Sequence, residues 1–401
     1  MPEDLVSIVI YTFLGMIAGA ISVFFPGFHS NTISSLISSI GIEPLLAAFC
    51  IVGVLAARSA FEPVLSIFFG IPDDTSGLSP LPGQALFLEG RGHEALLICS
   101  FSAGAATLMS AILSPAAMAL YPPLMALAKP YLAFFICLIV ASYAFLQFRS
   151  WKALAMSLSV FALAGYCGYA FLNSGTLSDP LFAMFAGMFA PAWLVFSEGS
   201  RAKSKAEIVQ QVTFPDFSML KYVAVGVGMS FISLLFPSVS SPIFLASIAA
   251  PLFAAMGAEQ FLALATSISF SLAVFSFSLA ASVGKARIGS IEIASGLVSR
   301  EPLAIIWLFC AYLVALALSL ALFIRVSGRL SKIIIGLERN SSIRYFIAAL
   351  LVSLVFIQSG FAGVAAFATF FALGCLPFLL GVPRVWLMGC LILPTLFYLM
   401  A

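Results

Sequence analysis

The sequence predicts an all-α polytopic membrane protein made of two inverted-topology repeats, each with a broken helix, a re-entrant helical hairpin and about four further transmembrane helices. Composition, the spacing of apolar runs and the placement of Lys and Arg carry this reading. Of 401 residues, 62% are hydrophobic and 8% charged, whereas charged residues make up about a quarter of a soluble domain. Apolar runs of roughly 17 to 23 residues recur along the chain, and about 20 helical residues cross a hydrocarbon core of roughly 30 Å. The membrane is therefore the solvent.

Plain spans are expected over residues 6–25, 94–115, 131–148, 153–171 and 180–196, and again over 219–236, 302–324, 345–362, 364–381 and 385–400. Between them, residues 26–93 and 237–301 are apolar stretches cut repeatedly by Pro, Gly and polar residues. The first repeat is read as 1–196, a cytoplasmic linker as 197–217 and the second repeat as 218–401. The N-terminus carries Glu3 and Asp4 and no basic residue ahead of the first apolar run, so that run is expected to be a retained helix rather than a signal peptide.

Positive loops stay on the cytoplasmic side. Arg149 and Lys152, the group Arg201, Lys203, Lys205 and Lys221, the group Arg325, Arg329, Lys332, Arg339 and Arg344, and Arg384 all fall on one side if each interrupted region crosses an even number of times. The N-terminus then lies outside and the central linker inside the cell membrane. The helix at 6–25 runs inward and its counterpart at 219–236 outward. The two stretches also align: Gly15 to Ile33 reads GMIAGAISVFFPGFHSNTI and Gly226 to Phe244 reads GVGMSFISLLFPSVSSPIF, with Phe25-Pro26 over Phe236-Pro237. Inverted repeats with discontinuous helices are a common build of secondary transporters. The loop Arg325 to Arg344 holds an apolar IIIGL and is expected to form a short interfacial helix.

Several classes are excluded. The seven cysteines form no CxxC pair and no metal-ligand spacing, so no metal and no cofactor is expected beyond a coupling Na+ or H+. Basic residues are scattered and the net charge is +2, which argues against nucleic acid. GxSxG, Walker and HExxH signatures are absent, so no enzyme is expected.

Chemistry concentrates in the interrupted regions, because non-helical backbone at membrane depth must be buried in protein or line a cavity. In Pro26-Gly27-Phe28-His29-Ser30-Asn31-Thr32, Gly27 permits a tight turn, Pro26 removes a donor, and Asn31 or Thr32 is placed to cap the following helix. A helix start of that kind favours an anion; His29 is a proton carrier or a structural hydrogen-bonder. A second break, Gly70 to Gly83, follows the short apolar approach Val64 to Phe69 and reads as a re-entrant hairpin or a solvated turn. It carries Asp73, Asp74 and Thr75, candidates for ion coupling because intramembrane carboxylates default to ion or proton sites.

The matching tip of the second half, Ser282 to Ser290, is basic: Lys285 and Arg287 would neutralise an anion or pair with Asp73 and Asp74. Ser238, Ser240 and Ser241 supply hydroxyls for a small polar pocket. The candidate substrate residues are thus Gly27, His29, Ser30, Asn31, Thr32, Ser238, Ser240, Ser241, Lys285 and Arg287. Glu89, Arg91, His93 and Glu94 read as surface or interface charges at a helix start, with Glu94 near the positive end of the dipole.

The run from Pro26 to Thr32, Phe69-Gly70-Ile71-Pro72-Asp73-Asp74 and Leu81-Pro82-Gly83 to Glu89-Gly90-Arg91-Gly92-His93-Glu94-Ala95 resembles the archaeal-type branch of the TctA family, the large membrane subunit of tripartite tricarboxylate transporters. The resemblance implies uptake of an organic anion, a carboxylate, coupled to an ion gradient. Its acidic hairpin tip departs from the neutral turn of the large bacterial subunits, and the chain is shorter than they are. A Pro-Gly turn followed by Ser or Thr is also similar to the PopT-type polyprenyl-phosphate transporters, where the anion would be a lipid phosphate. Expected partners are the bilayer, a small anionic substrate or lipid phosphate, and as further candidates a homodimer partner, a small membrane subunit or a binding protein.

Overall fold

The computed structural model describes residues 2–23, 30–64, 67, 82–148, 150–177, 180–194, 216–236, 245–246, 256–338 and 341–400. Among them the regular elements are all helical. The first eight are α1 (Pro2–Ser22), α2 (Ser30–Ser39), α3 (Pro44–Phe61), α4 (Pro82–Leu88), α5 (Gly92–Ala128), α6 (Leu132–Leu146), α7 (Trp151–Leu172) and α8 (Pro180–Leu194). The remaining six are α9 (Leu220–Ser233), α10 (Ala258–Val283), α11 (Gly289–Leu297), α12 (Pro302–Glu338), α13 (Ser341–Leu380) and α14 (Gly389–Met400).

Among the described residues, seven helical stretches are long and apolar enough to cross a membrane. Their outer faces carry bare apolar side chains such as Ile112, Phe145 and Phe361, exposed by 70%, 81% and 82%. Such a surface suits lipid and would associate in water. The central helices are α3 and α10, in whose apolar windows 78% and 89% of residues are buried.

Local signals explain several boundaries. Pro44 opens α3, where a missing N–H costs nothing. The Ser150 hydroxyl accepts the Ala153 N–H at 3.2 Å and caps α7. Gly284 closes α10 with a left-handed φ of 75°.

The structure departs from the expected spans in two places. α5 runs unbroken through Pro115, Pro122 and Pro123, because neighbouring helices compensate for freed backbone groups inside a membrane bundle. The charged stretch expected as a loop with an interfacial helix is the continuation of α12 to Glu338; its spaced charges solvate one end of a helix without terminating it. The break expected between the spans 345–362 and 364–381 falls at Gly360, whose φ of 59° and ψ of −153° are non-helical, so α13 is two helices that meet at a kink. Helix continues past Phe61 through Pro63 and Val64; of the approach expected over Val64 to Phe69, all but Val64 and Ile67 lies outside the described residues.

Helix directions follow from specific contacts. Gly15 faces the Cys50 carbonyl, Gly19 that of Val54, and Gly53 that of Thr12, so α1 and α3 lie parallel with backbones touching. A Cβ at any of the three would overlap the partner's backbone. The ten-residue α2, about 15 Å long, lies in the return between them.

α9 and α10 are parallel too: Gly226 faces Leu264 and Ser267, and the Ser230 hydroxyl donates to the Ile268 carbonyl at 3.0 Å. α5 runs parallel to α10, joined by Thr266 Oγ1 to Cys99 Sγ at 3.5 Å and by Ser114 Oγ to Ser278 Oγ at 2.6 Å. α12 runs against both, since Phe277 stacks near Phe309 and Tyr312 while His93 Nε2 lies 3.2 Å from Ser327 Oγ. The Phe61 ring meets Phe323 at 5.2 Å, so α3 finishes where α5 and α10 begin. Hence α1 and α3 run toward that end of the bundle, and α9 and α10 away from it.

Packing then crosses between the halves of the chain. α3 packs on α12 and α10 on α5, while α7 packs on α14 and α8 on α13. Gly168 against the Cys390 carbonyl and Gly187 against that of Phe367 allow the last two pairings to close.

Candidate functional site

α1 stops at Ser22, and α9 at Ser233 followed by a turn to Phe236, each just before its Phe-Pro segment. Arg58 meets the first of these helix ends and Arg287 the second.

Ser30 is the first residue of α2, buried, with its carbonyl accepting the Ser34 hydroxyl at 2.8 Å. Asn31 and Thr32 therefore fall inside the helix they were expected to cap. Asn31 caps a different helix. Its Oδ1 accepts the Ser290 N–H at 2.9 Å and the Ser290 hydroxyl at 3.1 Å. Ser290 is the second residue of α11, whose own N-cap position, Ile288, offers no side-chain acceptor. The free amides at a helix start need an acceptor, and here it arrives from 259 residues away in the chain. A Cβ on Gly289 would stand 2.8 Å from Asn31 Cγ, so glycine leaves the amide its place.

Arg287 ties the other helix end. Its Nε donates to the Leu234 carbonyl at 3.0 Å, and its backbone N–H and that of Ile288 donate to Ser276 Oγ at 3.0 and 3.3 Å. A guanidinium on carbonyls at a helix C-terminus is also favoured by the dipole. Glu292, in the first turn of α11, accepts the Ala286 N–H at 2.6 Å and Arg300 Nη2 at 2.6 Å, which folds the 284–292 turn onto its helix. Lys285 is exposed and makes no ion pair among the described residues.

Two ionisable residues of α3 and its continuation escaped the sequence reading as candidates. Arg58 is 4% exposed and donates through Nη1 to Ser22 Oγ at 3.2 Å, at the last residue of α1. Glu62 follows one turn later with its Oε1 buried. The available signal was a charge inside an apolar run at membrane depth, obscured because residues 26–93 did not resolve into spans from pattern alone.

Arg91 sits at the start of α5 and forks onto Glu94, with Nε to Oε2 at 2.8 Å and Nη2 to Oε1 at 2.7 Å, and Nη2 also meets Glu259 in the first turn of α10. The interface reading of these charges holds: they pin the start of α5 to that of α10. Hydrogen bonds donated to Glu94 first, then to Glu259, raise the Arg91 pKa above its already high ordinary value. Gly27, His29, Asp73, Asp74, Thr75, Ser238, Ser240 and Ser241 lie outside the described residues. Among the described residues no group of three or more His, Cys, Asp or Glu is placed to hold a metal.

The arrangement is one of paired, hydrogen-bonded helix ends inside an apolar bundle, with donors and guanidinium groups at membrane depth. An uncharacterized protein of Methanocaldococcus jannaschii is 27% identical over 220 residues, covering 52% of this chain and 52% of that protein. The chain thus spans about half the length of the curated relative it matches. No solved structure matches it. The family model described as "Tripartite tricarboxylate transporter TctA family" matches residues 9–389, nearly the full helical bundle just described, and the chain belongs to that family.

Proposed function

We propose that the protein is a secondary active transporter that moves a small organic anion of the carboxylate class across the cell membrane, coupled to a proton or sodium gradient. The junction of Asn31 with the start of α11 carries this reading. A helix N-terminus inside a low-dielectric bundle favours a carboxylate, and here those donors are held by a neutral amide with which a carboxylate can compete. Arg287 and Arg58 bring positive charge to the two broken helix ends. The family's description favours a carboxylate over a lipid phosphate.

An inverted-repeat build fits the opposite senses of α1 with α3 and of α9 with α10, and the crossed packing of α3 on α12 and α10 on α5. In such a build, half-helix ends meet near the membrane midplane and the two halves rock about them. The N-terminus is assigned to the outside and residues 197–217 to the cytoplasm. His29, Asp73, Asp74 and Thr75 remain candidates for the proton or ion path. Ser238, Ser240, Ser241 and Lys285 remain candidates on the substrate side. The tripartite description suggests a small membrane subunit and a binding protein as partners.

The test is uptake into proteoliposomes. Purified protein with imposed proton or sodium gradients is offered labelled citrate, succinate and malonate. Accumulation of at least one, abolished by collapsing the gradient, is expected. Equal label in empty liposomes under all gradients would overturn the reading.

A further inference from the structure

We propose that Glu62 is the carboxylate that binds the coupling cation, a proton or a sodium ion, and that Arg58 one turn before it sets when that cation is held. This inference rests on the transporter reading above and names a site within it. Glu62 continues the α3 helix, its N–H bonded to the Arg58 carbonyl at 2.9 Å. The chain stays inside the protein on both sides of it: Phe61, Val64 and Ile67 are exposed by only 6%, 1% and 0%. Glu62 is part-buried, with one oxygen, Oε1, out of reach of solvent and without a hydrogen-bond partner among the described residues.

A carboxylate oxygen in that setting is costly as a bare anion, because neither water nor a donor replaces its lost hydration. A bound proton or a small cation removes the cost. Intramembrane carboxylates of this kind mark ion pathways.

Arg58 shares the face of Glu62, four residues earlier on the same helix. Its Nη1 is directed to Ser22 Oγ, at the end of α1. Ser22 in turn donates to the Gly19 carbonyl at 2.7 Å, so the guanidinium position is coupled to the conformation of the broken helix. With Arg58 drawn to Ser22, Glu62 holds its cation. When the end of α1 shifts, the guanidinium can turn to the carboxylate, and the proton or sodium ion leaves to water.

Among the described side chains, charged groups on elements packed against α3 are engaged or turned away. Glu292 of α11 is taken by Arg300 and the Ala286 N–H. Arg325 and Arg329 of α12 are exposed, and Glu3 and Asp4 stand at the opposite end of α1.

The experiment compares wild type, Glu62→Gln and Glu62→Asp in proteoliposomes, with three readouts. Gradient-driven citrate uptake is measured with a proton gradient and with a sodium gradient, separately. Citrate exchange between equal pools at zero gradient is measured alongside. Difference infrared spectra on a pH jump and on sodium addition report carboxyl protonation and cation binding without any substrate. For Glu62→Gln, gradient-driven uptake is expected to fall at least tenfold while exchange stays within about twofold; Glu62→Asp should retain part of the driven uptake.

A carboxyl band that shifts with pH in wild type and disappears in Glu62→Gln identifies the proton. A carboxylate band that shifts on sodium addition and disappears in the same variant identifies sodium. If neither band depends on Glu62, or if Glu62→Gln accumulates citrate with unaltered gradient dependence, the proposal is wrong. If wild type carries no carboxylate while the Glu62 bands are present, the transporter reading fails and the cation site stands.

Discussion

Replacing Asn31 by Ala removes the acceptor that joins α2 to the start of α11. Ser290 is fully buried, so its N–H and hydroxyl cannot turn to water when Asn31 Oδ1 is gone. A buried donor left unmade costs about 1–3 kcal/mol, but the hydroxyl can rotate toward a carbonyl of its own helix. Only the N–H then bears the full cost, which gives about 2 kcal/mol, at the upper end of the range for loss of a helix cap. Asn31→Asp keeps the acceptor and adds charge at the positive end of α11, worth about 0.3–1 kcal/mol at a helix start and offset in part by burial. It is expected to stay within about 1 kcal/mol of wild type.

Gly289→Ala acts on the same contact, since its Cβ would displace Asn31, and should show strong non-additivity with Asn31→Ala. Reversible unfolding in mixed micelles, followed by tryptophan emission, measures all three and the double variant. Equal stability of wild type and Asn31→Ala, or equal losses for Ala and Asp, would refute the trans-cap.

Other substitutions probe the packing. Gly53→Leu would force α1 away from α3, where the backbone of Thr12 leaves no room for a Cβ; overpacking of about 1–3 kcal/mol or more is expected, seen as loss of a monodisperse peak in detergent. Ser278→Ala breaks its bond to Ser114 and should cost only about 0.6 kcal/mol, the mean for such bonds in membrane bundles. Arg91→Gln should lower stability by about 1 kcal/mol, because its partners Glu94 and Glu259 are part-exposed. The raised Arg91 pKa means that the arginine's contribution is complete below its ordinary pKa, so raising pH from 7 to 10 should leave the wild-type melting temperature unaffected by this group.

Membrane residence was legible from composition, whereas the side-by-side course of α1 with α3 and of α9 with α10, set by the contacts of Gly15, Gly53 and Gly226, was not. The joined helices were less legible. α5 passes three prolines without ending, because neighbouring helices supply what the local sequence lacks, whereas the break expected between the last two long spans falls at Gly360. At the site, Asn31 and Arg287 were chosen for residue type in a polar break, yet their partners Ser290 and Leu234 depend on tertiary packing that no local pattern encodes. Arg58 and Glu62 were hidden for another reason. The Pro, Gly and polar interruptions of residues 26–93 left that region without assigned spans, so the depth of Arg58 and Glu62 within α3 and its continuation could not be read.

The most direct test of the transport reading is a reversible cross-link at the junction of the two halves. In a background lacking the seven native cysteines, Cys is placed at Asn31 and Ser290, whose side chains are in hydrogen-bond contact, and carboxylate uptake is measured before oxidation, after it and after reduction. The expected result is uptake that stops on cross-linking and returns with reductant, because the helix ends that admit the anion can no longer part. Full uptake by the cross-linked protein would contradict it.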